Sequence, residues 1–131
     1  MIVVDTSVWI DYFNGAPTPA ADRLDRLLSE RLVVVGDLVL AELLQGFGSD
    51  DEAARVRRSL EPLPFAEMVG KGIALAAAAN FRALRRRGVT VRKTIDVLIG
   101  TFCLENDLEL LHADRDFDAM QEHLGLRVLA S

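Results

Sequence analysis

Short apolar runs alternate with segments of helical period along nearly the whole chain, and this alternation limits the folds open to it. Ile2-Val3-Val4, Leu32-Val33-Val34-Val35 and Leu108-Glu109-Leu110-Leu111-His112 are too brief for buried helices, and the first two are rich in β-branched residues. Between them, Leu24, Leu27 and Leu28 fall at i, i+3 and i+4, and Leu40, Leu43, Leu44 and Phe47 make a second helical stripe. An alanine-rich stretch, 67–87, reads as one long helix stopped by Gly88, its small residues suited to close packing. Strands buried on both faces and joined through helices run parallel. The predicted fold is therefore α/β: a three-layer α/β/α domain with a parallel sheet of four or five strands, residues 126–129 supplying the last.

The 131 residues suffice for a single domain, 1–131, with no repeat, linker or low-complexity tract. Ser7 is expected to cap a helix through Phe13, Gly36-Asp37 to supply a turn and cap, Ser49 to cap 50–60, and Thr94 to cap a helix to about residue 105. No apolar run approaches the roughly 20 residues of a membrane helix, and Asp5 stands where a signal peptide would be apolar. A single cysteine, Cys103, permits no internal disulfide and suits a reducing compartment. The expectation is a cytoplasmic protein with no membrane partner. Net charge is −5, which argues against a general nucleic-acid coat. Yet Arg82, Arg85, Arg86, Arg87, Arg92 and Lys93 lie together with no acid among them, a local patch able to meet a phosphate backbone.

Four acids stand out from this frame. Asp5 and Asp114 each follow an apolar strand, and in a parallel sheet both emerge at the carboxyl edge, where ligands bind. Asp96 lies in the first turn of the helix after Thr94, where the dipole favours an anion. Glu42 lies on the helix after the second strand. Gly100 shares the Asp96 face, so something is expected to approach that carboxylate closely. Taken singly, each acid is as readily a cap, a turn residue or a solvated charge. Together they would repel one another unless a cation neutralised them, and ligands of oxygen alone point to Mg²⁺ or Mn²⁺. Such a site suits phosphodiester hydrolysis, with one ion or two.

The segments Asp5-Thr6-Ser7-Val8-Trp9-Ile10-Asp11, Ala41-Glu42-Leu43-Leu44, Arg92-Lys93-Thr94-Ile95-Asp96-Val97-Leu98-Ile99 and Leu111-His112-Ala113-Asp114-Arg115-Asp116-Phe117 resemble the successive signatures of PIN-domain ribonucleases. More narrowly, the chain resembles VapC toxins of toxin–antitoxin pairs. The resemblance implies a Mg²⁺- or Mn²⁺-dependent endoribonuclease cutting structured cellular RNA, usually a homodimer, inhibited by a cognate VapB antitoxin. It implies that Asp5, Glu42, Asp96 and Asp114 are catalytic, with Asp5, Asp96 and Asp114 the metal ligands and Glu42 a ligand through water or a group orienting the attacking water. Asp116 matches a second acid of variable role, and Thr6 or Ser7 the hydroxyl supporting the first carboxylate. Ala113 stands where relatives often have a polar or basic residue.

Arg92 and Lys93 precede Asp96 closely enough to hold a scissile phosphate, or merely balance local acid; Arg115 touches RNA or antitoxin, or pairs with a neighbouring Asp. Trp9, Tyr12 and Phe13 form an antitoxin groove, a base-stacking platform or plain packing. Cys103, His112 and His123 are read as structural. Two rivals share the size and layers: a phospho-receiver domain, against which stands the single acid after the first strand, and a catalytically silent binding module.

Overall fold

A computed structural model describes residues 1–130. The strands are β1 (Ile2–Val4), β2 (Val33–Gly36), β3 (Phe65–Ala66) and β4 (Glu109–Leu111), all parallel, in the order β3-β2-β1-β4. The helices are α1 (Thr6–Phe13), α2 (Pro19–Ser29), α3 (Asp37–Gln45), α4 (Asp50–Leu60), α5 (Lys71–Arg86), α6 (Thr94–Glu105) and α7 (Asp118–Leu124), with a 3-10 turn at Arg115–Phe117. Register is fixed by the pairs Ile2↔Val33 and Val3↔Val34 on one side of β1 and Val3↔Leu110 and Val4↔Leu111 on the other.

The chain steps outward from β1 to β2 to β3, then returns to lay β4 on the opposite side of β1. With right-handed crossovers this puts α1 to α4 on one face and α5 and α6 on the other. The reversal makes the carboxyl end of β1, beside β4, a topological switch point, where an open α/β sheet leaves a crevice. The order also differs from the 2-1-3-4-5 of flavodoxin-like receivers, which sets the receiver alternative aside.

Residues of β1, β2 and β4 are almost entirely buried, and α6 is buried nearly all round, from Asp96 through Cys103. A helix apolar on every side belongs inside, which is why α6 carries no strong amphipathic stripe. Its one polar demand on α5 is met where Asn80 Nδ2 donates to the fully buried Thr101 Oγ1 at 2.9 Å. No helix among the described residues is long and apolar enough to cross a membrane.

Some expectations need correction. Residues 126–129 form only the bridge Leu110↔Val128, secured by Leu110 N donating to Arg127 O and Leu129 N to Leu110 O, so the sheet has four strands. The long helix begins at Lys71 rather than 67, because Phe65–Ala66 is drawn into the sheet against Val35–Gly36 and Asp37 Oδ1 then accepts from Met68 N at 3.0 Å. Met68, fully buried, fills the space over Gly36 that any Cβ would occupy. The caps shift too: Asp5, not Ser7, caps α1; Asp37 is the first residue of α3, after Gly36; and Thr94 is the first residue of α6, after Lys93. Ser49 caps α4 as expected, accepting from Glu52 N.

Candidate metal centre

The apolar demand of β1 ends at Val4, and the next residue is held from two sides. Asp5 N donates to Leu111 O at 2.9 Å, extending the β1–β4 pairing by one residue, while its side chain caps α1. Asp5 Oδ2 accepts from Ser7 N at 3.3 Å and Ser7 Oγ at 2.7 Å. The same Ser7 hydroxyl accepts from Ala113 N at 3.4 Å, so one small side chain joins the end of β1 to the loop after β4. Thr6 turns the other way and donates to Glu42 Oε1 at 2.9 Å. The two consecutive hydroxyls thus serve two different carboxylates, Ser7 the first acid and Thr6 the one on α3.

Beyond β4, His112 Nδ1 accepts from Asp114 N at 3.2 Å, and its ring lies 5.1 Å from that of buried Phe117. This makes His112 a buttress of the acidic loop. Asp114 caps the 3-10 turn by accepting from Asp116 N at 2.9 Å, which folds Asp116 back toward the sheet edge. From the opposite side, the first turn of α6 presents Asp96, only 3% exposed.

Asp96, Asp114 and Asp116 each bring a carboxylate oxygen into a group whose members all lie within 4.8 Å of one another. Asp5 is not one of this trio, yet its charge is the strongest of the neighbouring charges acting on Asp96, ahead of Asp114 and Glu42. Burial, reinforced by those three anions and opposed by Lys93, pushes the Asp96 carboxyl from 3.8 up to about 7. Burial also raises Asp5, against the hydrogen bonds from Ser7 and Thr6 that hold it down. Asp96 Oδ2 and Asp116 Oδ2 are both buried without a hydrogen-bond partner. Buried anionic oxygens left unpaired are costly. Two of them in an all-oxygen cluster, where like charges oppose ionisation, fit a hard divalent cation.

Every acid singled out in the sequence comes to this one edge. Asp116 stands in the closest group, a place the sequence did not give it; the signal was its spacing of two from an acid able to cap the turn between them. Arg92, Lys93 and Arg115 are exposed at the rim, with Arg92 Nη2 3.5 Å from Asp116 Oδ1. Trp9 is 1% exposed and stacks on Phe13 at 5.8 Å, with Tyr12 edge-on, so its indole offers no face to a base. Gly100 is close-packed, but what fills the space is Met120 of α7, not a ligand approaching Asp96. Cys103, buried beneath Asp5, has its thiol pushed up to about 12, the state of an inert core residue.

The sequence matches the PIN domain family over residues 2–122. It is 34% identical over 129 residues to the VapC ribonuclease Mb1587 of Mycobacterium bovis and, equally, to ribonuclease VapC11 of Mycobacterium tuberculosis, in each case covering 97% of this chain and 96% of the relative. Among solved structures, VapBC2 from Rickettsia felis bound to a promoter DNA fragment superposes with a TM-score of 0.77 at 16% identity, covering 98% of both chains. That overlay extends the likeness in fold from end to end. The chain belongs to the PIN-domain family and, within it, to the VapC ribonucleases.

Proposed function

We propose that this single-domain protein is an endoribonuclease toxin dependent on Mg²⁺ or Mn²⁺, working in the cytoplasm as a homodimer and held inactive by a VapB-type antitoxin. The observation that carries the reading is the meeting of Asp96, Asp114 and Asp116 at the switch point, with buried oxygens of Asp96 and Asp116 unpartnered. The relatives at 34% identity are named as ribonucleases, and the structural neighbours include toxins solved with their antitoxins, which supports both the activity and the partner.

In this reading Asp96, Asp114 and Asp116 hold the ion, with Asp5 completing the acidic wall. A divalent ion in such a site supplies charge stabilisation at the phosphate and acidifies water. The chain's own residues do the rest. Ser7 fixes Asp5 and the Ala113 backbone in one hydrogen-bonded unit, so the two strand ends cannot drift apart. Glu42, oriented by Thr6, is the carboxylate placed to accept a proton from the attacking water. Lys93, whose charge already offsets that of Asp96, and Arg92 and Arg115 at the rim bind the RNA backbone and fix its position without reading bases.

The test is cleavage of total RNA by the wild type, Asp114→Asn and Asp5→Asn, with Mn²⁺ or EDTA. Loss of cleavage in both variants and in EDTA, with unchanged far-ultraviolet circular dichroism, is expected. Full activity of either variant in Mn²⁺ would overturn the site assignment; a wild type that neither cuts RNA nor responds to EDTA would mark a silent binding module.

A further inference from the structure

We propose that Arg92 is an exchangeable counter-cation of the acid cluster: its guanidinium pairs with Asp116, competes there with the divalent ion, and passes to a phosphate of the RNA strand when the ion takes Asp116. This rests on the reading of the cluster as a metal centre. The chain around Arg92 is built for limited movement. Val91 is 7% exposed and Asp96 3%, so both ends of the segment are anchored, while Arg92, Lys93 and Thr94 between them are exposed.

The pair itself is uneven. The Asp116 side chain is 16% exposed and keeps a second oxygen buried and unpartnered, whereas the Arg92 side chain is 80% exposed. At 3.5 Å the contact exceeds the ~2.7–2.9 Å of a charge-assisted hydrogen bond, so it is a coulombic contact readily given up. A guanidinium carries five donors in a planar fork matched to phosphate, and most of this one remains in solvent. A compact dication concentrates charge that Arg92 spreads over its fork, so the ion displaces it from Asp116 and leaves it at the rim. Neither neighbouring cation duplicates this. Lys93 acts on Asp96, and Arg115, although flanked by Asp114 and Asp116 in sequence, forms no ion pair among the described residues.

The experiment is isothermal titration of the metal-stripped protein with Mn²⁺ for the wild type, Arg92→Gln, Arg115→Gln, Asp116→Asn and the Arg92→Gln/Asp116→Asn double variant. An exposed ion pair is worth at most about a fivefold change in an equilibrium. Arg92→Gln should therefore bind Mn²⁺ about two- to fivefold more tightly, Arg115→Gln should change affinity less, and the gain from Arg92→Gln should vanish on the Asp116→Asn background. An Arg92→Gln variant with unchanged or weaker affinity, or a gain that survives Asp116→Asn, overturns the competition. Failure of the wild type to bind Mn²⁺ overturns the metal centre itself. The second half is read by fluorescence anisotropy of a labelled oligoribonucleotide with Mn²⁺ present, all variants carrying Glu42→Gln so that the strand is bound without being cut. Arg92→Gln should lower the magnitude of the slope of log affinity against log salt by about 0.7, the share of one phosphate contact on a single strand, and an unchanged slope would overturn the transfer to phosphate.

Discussion

Replacing Asp96 by Asn should stabilise the metal-free protein at alkaline pH, an unusual result for a substitution at a buried site. The reason is that the cluster places an anion where burial, Asp5, Asp114 and Glu42 all oppose it. Because the folded-state carboxyl titrates at about 7 rather than 3.8, the folded chain binds more protons than the unfolded chain between those values, and stability falls as pH rises through that window. Above the window the loss is complete; below it Asp96 is neutral in both states and the substitution gains nothing. A displacement from 3.8 to about 7 corresponds to an upper bound of about 4 kcal/mol. Buried sites respond with a higher effective dielectric than their exposure implies, so about 1–2 kcal/mol is the expected gain at pH 8. The introduced amide also gains acceptors in the surrounding carboxylates. Urea unfolding at pH 4, 6 and 8 in EDTA should show wild-type stability declining with pH and the Asp96→Asn curve lying above it only at the higher values. Added Mn²⁺ should reverse the order, stabilising the wild type and leaving the variant unmoved. A variant less stable than the wild type at pH 8 in EDTA would refute the reasoning.

Thr6→Val leaves Glu42 without its 2.9 Å donor and should cost about 1 kcal/mol in urea unfolding, with a cleavage defect appearing in kcat rather than KM if Glu42 acts on water. Ser7→Ala breaks the bridge between Asp5 and the Ala113 backbone; denaturation should show a loss of about 1–2 kcal/mol, and the pH dependence of cleavage should move to higher pH because Asp5 loses the hydroxyl that lowers its pKa. Gly100→Ala drives a methyl into Met120 and should lower stability by about 1–3 kcal/mol by thermal melting, and the Gly100→Ala/Met120→Ala pair should lose less than the sum of the two single losses.

The parts of the site that follow from strand period and chain direction were legible in the sequence. Ile2-Val3-Val4 before Asp5, and Leu110-Leu111 shortly before Asp114, put both acids at one edge as soon as the strands are parallel. Asp96 followed from its place in a first helical turn. What was hidden depended on contacts between segments remote in sequence. Nothing in Thr6-Ser7 tells which hydroxyl turns to Glu42, 36 residues away, and which to Asp5. The start of α5 was obscured because alanine-rich sequence favours helix well upstream of Lys71, whereas the edge pairing of Phe65–Ala66 and the Asp37 bond to Met68 override that preference. Gly100 signalled close approach, but glycine cannot say what approaches, and here it is Met120. The aromatic trio beside Asp5 looked the same as core or as platform until Trp9 proved buried.

A crystal grown with Mn²⁺ and measured for anomalous scattering tests the metal centre most directly. A peak is expected among Asp96, Asp114 and Asp116, within about 2.2 Å of oxygens from at least two of them. A peak elsewhere, or none at an ion concentration that supports cleavage, would contradict the assignment.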